Sequence, residues 1–215
     1  AVVAMKLVFA LYQKYKIPEI EKEDFLEPAA IATVGDIMDL QGENRILVKE
    51  GLARLPYTKN KGLKALICAI GLEDQKISSY DIGFRLGPCI NASGRLDTAM
   101  RSLALLQSED ETEAAKLAGD LKALNDSRKA LTEKGTEEAY HLIDNSELKN
   151  DRVMVVFLPE CHESLAGIIA GRIREKYHKP AFVLTRGEKS LKGSGRSTEN
   201  YSMYEELVKC DSLLI

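Results

Sequence analysis

Apolar and polar positions alternate in three styles along the chain, and each style predicts a different architecture. Val2 to Tyr15 reads as an apolar helix, followed by a connector at Pro18 and the acidic run Glu19 to Asp24. Pro28 suits the first turn of a helix entering AAIATVGDIMDL, because a missing N–H costs nothing there. Asn44 to Arg54 is amphipathic through Ile46, Leu47, Val48, Leu52 and Ala53. Lys61 to Leu72 repeats the pattern and is closed by Gly71, a residue that tolerates the left-handed backbone of a helix C-terminus. The stretch YDIGFRLGPCINASGRLD, with three glycines and a proline among polar residues, predicts an ordered loop.

From Ser108 the style changes. Ser108 or Asp110 can cap a helix whose first turn holds Glu111 and Glu113, acids favoured at the positive end of the helix dipole. Leu117, Leu121, Leu124 and Leu131 carry the helical spacing onward toward Asp144. Unbroken, this helix is about 50 Å long. Arg128 and Gly135 interrupt its stripe, which argues for a strut between two halves and against a coiled coil.

The last third alternates. RVMVVFL and PAFVLT are buried strands, SLKGSG is a short third strand, and SLAGIIAGRIREKY and MYEELVKC are helices. Two glycines on one face of SLAGIIAGRIREKY mark a place where a neighbouring element comes close. The order β-α-β-β-α predicts a small α/β domain with a parallel pair at its centre.

Composition narrows the functional classes. Of 215 residues, 45% are hydrophobic and 29% charged, enough apolar material for real cores and too much for a disordered chain. A net charge of -3 offers no bulk attraction to polyanions, so any nucleic-acid site must be a local basic patch or a metal. No apolar run reaches the roughly 20 residues of a membrane span. The opening segment carries Lys6 and no small-residue cleavage site, against a signal peptide. Four scattered cysteines (Cys68, Cys89, Cys161, Cys210) without a CxxC pair suit a reducing, cytoplasmic setting. The first residue is not methionine and the last are Leu213, Leu214 and Ile215; both apolar ends read as cuts in a longer protein.

Several side chains could carry chemistry. Asp36, set among Val34, Gly35, Ile37 and Met38, reads as a ligand for a hard divalent ion or as a helix cap or buried ion-pair partner, with Asp39 as the alternative carboxylate. In RLGPCINASGR, Arg85, Asn91, Ser93 and Arg95 can meet phosphate oxygens, or the arginines can pair with nearby acids. RGEKSLKGSGRS concentrates Arg186, Lys189, Lys192 and Arg196 against one acid and ends on Arg196 and Ser197, either a phosphate nest or a solvated turn. His162 in ECHES sits at a strand-to-helix junction, where free helix amides attract anions and where a histidine can equally serve as a cap. Cys161 beside it has no orienting third residue for a thiol nucleophile.

Taken in order, ATVGDIMDLQGENRILVKEGLARL, KGLKALI, DIGFRLGPCINASGRLDTA, LNDSR, HESLAGIIAGRIREKY and KGSGRS resemble the RecJ family of single-strand-specific exonucleases in the DHH phosphoesterase superfamily. The resemblance implies an α/β architecture: the mostly helical later part of a DHH domain over residues 1–105, a connecting helix over 106–145 and a truncated DHH-associated substrate-binding domain over 146–215. It implies a cytoplasmic enzyme of DNA repair and recombination that hydrolyses single-stranded DNA from its 5′ end with a pair of Mn²⁺ or Mg²⁺ ions. Asp36 corresponds to the family's last metal-binding aspartate, and the nucleic-acid contacts fall on Asn91, Arg95, Arg196 and Ser197, with Arg85 and His162 as further candidates. Single-strand-binding and helicase proteins are candidate partners.

Departures from the family pattern are Cys89 for arginine, Cys161 for tryptophan, and Asn200–Tyr201 for a glycine and an aromatic. The sequence holds no Asp-His-His and no Gly-Gly-His, so the resemblance predicts an incomplete ion site and little hydrolysis by these residues alone. Two other readings share many of these residues: a non-catalytic DHH-like scaffold that binds nucleic acid, and a DHH phosphoesterase acting on short oligonucleotides.

Overall fold

The computed structural model describes residues 1–17 and 25–213. The connector expected at Pro18 to Asp24 and the last two residues lie outside them. The chain divides between Asn125 and Asp126 into two compact units.

In the first unit, α1 (Val2–Tyr15), α2 (Leu26–Gly35), α3 (Gly42–Arg54) and α4 (Lys61–Ala69) form as their apolar spacing predicts. Gly51 and Gly62 are placed where neighbouring backbones press in. A Cβ at Gly51 would meet Ala30 and the Leu26 carbonyl, and one at Gly62 would run into the Leu105 carbonyl. The Asn60 side chain caps α4 by accepting the Leu63 N–H at 2.8 Å, and its amide donates to the Leu106 carbonyl at 2.8 Å. Gly71, at φ 67°, closes α4 as expected: its N–H donates to Cys68 O and that of Leu72 to Ile67 O.

The stretch expected as a loop is helical. It runs as α5 (Ser79–Asp81), a π-helical turn (Ile82–Leu86) and α6 (Gly87–Leu96). Ile82, Leu86, Cys89, Ala92 and Ser93 are buried at helical spacing, a period that the glycines and Pro88 obscure in the sequence. Pro88 sits in the first turn of α6, directly after the π-helical turn. A reciprocal cap starts the segment: Asp81 N–H donates to Ser78 Oγ, and Ser78 N–H to Asp81 Oδ2 at 3.0 Å. After α7 (Met100–Gln107), α8 (Glu111–Asp144) runs unbroken for 34 residues. Asp110 is its cap, accepting the Glu113 N–H at 2.7 Å. Leu55, Leu63, Leu66, Ile82, Leu86 and Leu105 form the first core, joined by Ala118 and Leu121 of α8.

The second unit contains the end of α8, β1 (Met154–Phe157), α9 (Glu163–Tyr177), β2 (Ala181–Arg186), β3 (Leu191–Arg196) and α10 (Met203–Lys209). The sheet order is β1-β2-β3. β1 and β2 pair in parallel with Met154 opposite Ala181, and β3 returns antiparallel with Ala181 opposite Arg196. The predicted parallel pair therefore forms, with β2 central. Met154, Val156, Ala181 and Val183 point into a core shared with Leu165, Ile169 and Ile173 of α9 and with Ala139 and Ile143 of α8. Gly135 keeps α8 open to this packing, since a Cβ there would lie 2.7 Å from the Ile169 methyl.

Candidate nucleic-acid interface

In the first unit the site begins at the end of α2. Ile37 N–H donates to Val34 O at 3.1 Å and Met38 N–H to Thr33 O at 3.1 Å, a closing pattern that needs a left-handed residue between them. That residue is Ile37, at φ 54°, where a β-branched side chain is strained. The turn leaves Asp36 as the exposed C-terminal cap of α2. Unsatisfied carbonyls already make a helix C-terminus negative, so the Asp36 carboxylate deepens a field that attracts cations.

Asp36 and Asn91 line one hollow of about 230 Å³, together with Ile31, Ala32, Gly35 and Ile90. Asn91 is exposed on α6, and Arg95, one turn further on, shares that exposed face. The opposite face of α6 is pinned: the Ser102 hydroxyl donates to the Ile90 carbonyl at 2.6 Å and lies 2.7 Å from the Ser93 hydroxyl. Arg85 points elsewhere. Its guanidinium donates to Ile70 O at 2.7 Å, to Gly71 O at 3.4 Å and to Asp81 Oδ1 at 3.3 Å. Hydrogen bonds from Ser78, with a further contribution from Arg85, hold the Asp81 carboxyl below the usual carboxylate range.

The second unit presents the opposite polarity. Lys192, Gly193 and Ser194 of β3, Glu163, Ser164 and Ala166 of α9, and Thr185 of β2 line a hollow of about 310 Å³ at the N-terminus of α9. Glu163 pairs with Lys192 at 2.6 Å, which lowers the carboxyl and raises the ammonium pKa, first by their hydrogen bond and then by charge. The exposed Arg196 guanidinium lies against Gly167, where a Cβ would come within 2.8 Å of its Nη2 and 2.7 Å of Ser194 Oγ. Arg196 also donates to its neighbour's carbonyl, Gly195 O, at 2.8 Å. The glycine face expected on α9 thus receives a side chain of β3. The Ser197 hydroxyl donates to Tyr201 O.

His162 is the cap of α9; its Nδ1 accepts the Ser164 N–H at 3.3 Å. It lines a separate hollow of about 120 Å³ with Cys161, Glu138 and Gly135. Burial, and then the Glu138 charge, push the Cys161 thiol up, away from nucleophilic thiolate. Ser164, Ser194 and Thr185 escaped sequence reasoning because only the β2–β3 register and the start of α9 bring them together. Among the described residues no group of three or more His, Cys, Asp or Glu converges to hold a metal ion. Asp36 supplies a single carboxylate, and these residues by themselves do not fit an ion.

No protein-family model matches the chain. It is 37% identical over 195 residues to the single-stranded-DNA-specific exonuclease RecJ of Escherichia coli K12, covering 88% of this chain and 34% of that protein. It is 34% identical over 214 residues to RecJ of Bacillus subtilis 168, covering 99% of this chain and 26% of that one. The crystal structure of RecJ from Thermus thermophilus in complex with Mg²⁺ superposes with a TM-score of 0.86 at 34% identity, over 99% of this chain and 32% of that chain. The same protein is also known with Mn²⁺ bound, again at a TM-score of 0.86. The chain therefore spans about a quarter to a third of the length of the RecJ proteins it matches.

Proposed function

This chain belongs with the RecJ exonucleases by homology over 88% to 99% of its length, and from that premise we propose that it is the phosphate-gripping part of a single-stranded-DNA exonuclease acting from the 5′ end in DNA repair and recombination. The observation that carries the reading is the hollow shared by Asp36 and Asn91. It puts a carboxylate at a negative helix end beside an amide that can hydrogen-bond a phosphate oxygen or sugar.

In this reading Asp36 is one ligand of the divalent ion that the Thermus relative holds as Mg²⁺ or Mn²⁺. Such ions, paired, activate water and stabilise the charge on the leaving oxygen. The remaining ligands belong to parts of a RecJ-length protein outside this segment. The chain's own residues bind and orient the strand. Asn91 and Arg95 meet the backbone next to the reacting phosphate, Arg196, lying across Gly167 of α9, holds a further phosphate, and Ser197, beside Arg174 and His178 at the other end of α9, adds a hydroxyl further along the strand. His162 caps α9 by accepting the Ser164 N–H on its ring and the Leu165 N–H on its carbonyl, and so fixes the start of the helix that Arg196 lies across. Four free cysteines favour the reducing cytoplasm. Single-strand-binding and helicase proteins are the partners that the resemblance alone supplies.

The test places Asp36→Ala in a RecJ-length protein carrying this segment and follows a 5′-labelled single strand with Mn²⁺. Hydrolysis should fall at least about a hundredfold while single-strand binding persists. Undiminished hydrolysis rejects the ligand role. The 215-residue chain alone should hydrolyse little or no DNA; turnover near that of the longer protein would overturn the division of labour.

A further inference from the structure

The π-helical turn between α5 and α6 has no part in the function above, and neither has the part-buried guanidinium of Arg85 within it. A π turn holds one residue more than an α turn, and it is recognised here by the Gly87 N–H donating to the Ile82 carbonyl five residues back. The close approach leaves no room at Gly87 for a side chain, since a Cβ would lie 2.8 Å from that same oxygen. Ile82 and Leu86 are fully buried on either side of the turn. One additional residue rotates everything after it by about 100° about the helix axis. The rotation has a consequence for the interface: α6 buries Cys89, Ala92 and Ser93 and exposes Asn91, Gly94 and Arg95. In α phase the whole of α6 would turn by that angle, carrying the Asn91 amide away from the hollow it shares with Asp36.

Such a turn needs an anchor, and Arg85 is built as one. It lies inside the turn, and its two terminal nitrogens bridge the carbonyls at the end of α4 to the Asp81 carboxylate that caps α5. The planar fork reaches three acceptors at once, a geometry that a lysine cannot reproduce. We propose that Arg85 and the π-helical turn form a positioning device that sets the rotational phase of α6, and with it the direction of Asn91 and Arg95. Arg85 is then a positioning residue, not a phosphate contact. The inference rests on the proposed function only for its consequence; the anchoring stands on the contacts themselves.

Arg85→Ala and Arg85→Lys in the 215-residue chain test both halves. Hydrogen exchange across residues 82–96 should accelerate at least about tenfold in Arg85→Ala and less in Arg85→Lys, with residues 154–186 of the second unit unchanged. Binding of a fluorescent oligothymidine should weaken about three- to tenfold in Arg85→Ala, and adding Asn91→Ala should cost nothing more, because the amide is already misdirected. Full additivity of the two substitutions makes Arg85 an independent contact and overturns the proposal. Unchanged exchange in residues 82–96 also overturns it. If the unmodified chain binds no oligothymidine, the functional reading fails, and the exchange measurement still decides the anchoring.

Discussion

Gly51 and Gly62 in the first unit and Gly167 in the second use the absence of a side chain for opposite purposes. In the first, Gly51 and Gly62 admit backbone: the facing atoms are the Leu26 and Leu105 carbonyls, which cannot move without moving a helix. In the second, Gly167 admits the far end of a flexible arginine and a serine hydroxyl. The helix ends contrast as well. The first unit offers the negative end of α2 with Asp36 added, and the second offers the positive end of α9, where Lys192 is paired with Glu163, and the Arg196 guanidinium across Gly167 of the same helix. A chain with a net charge of -3 thus holds one cation-seeking and one anion-seeking locus, each made by helix polarity and local side chains.

Glycine replacement probes the contrast most sharply. Gly62→Ala should destabilise the first unit by about 3 kcal/mol, read by denaturant unfolding, because overpacking against backbone has no cheap relief. Gly167→Ala should leave stability unchanged or slightly raised, since alanine is the better helix former and Arg196 can swing away. Its cost falls on binding: affinity for oligothymidine should drop about tenfold, and Arg196→Ala should also lower the slope of log affinity against log salt by about 0.7. Equal stability losses at the two glycines would erase the distinction.

Ile37→Gly should stabilise the first unit by about 1 kcal/mol, measured as a shift in the unfolding midpoint, by relieving the left-handed β-branched residue after Asp36. No gain would mean that glycine's entropy in the unfolded chain offsets the relief. The effect of pH on the Asp81 cap is smaller, at most about 1 kcal/mol. Its carboxyl titrates lower in the folded chain than in the unfolded one, so its contribution is complete above about pH 4 and is lost as pH falls through the folded value. Comparing Asp81→Asn with the parent chain across pH 2 to 6 (a range set by about two units either side of an ordinary carboxylate) should show the two stabilities converging at the acid end. A constant gap would remove the carboxylate from the cap.

The second unit was the more legible in sequence. Continuous β-branched apolar runs and a glycine-bearing helix have a plain local reading, and strands β1 to β3 formed where RVMVVFL, PAFVLT and SLKGSG lie. In the first unit α1 to α4 were equally plain, yet residues 80–96 read as a loop because three glycines and Pro88 lower helix propensity. Burial overrode propensity there: Ile82, Leu86, Cys89 and Ala92 gain more from the core than the glycines lose. The candidate site divides in the same way. Asp36 and Asn91 were each visible as chemistry-bearing residues, but 55 positions separate them, and no local pattern says that they share a hollow. Arg85 was visible only as a cation; its three acceptors come from the ends of two other helical segments.

Local order is encoded by short-range rules, and so the sequence by itself determined the succession of elements outside residues 80–96, the caps at Asp110 and His162, the placement of basic and acidic side chains, and the RecJ resemblance. Direction is set by packing. Whether Arg85 faces a phosphate or a carbonyl, whether Arg196 lies across α9, and which side of α6 carries Asn91 depend on long-range contacts and one π turn. These were decided only in the tertiary structure, because a rotation of one residue about a helix axis leaves composition and motif untouched while redirecting every side chain beyond it.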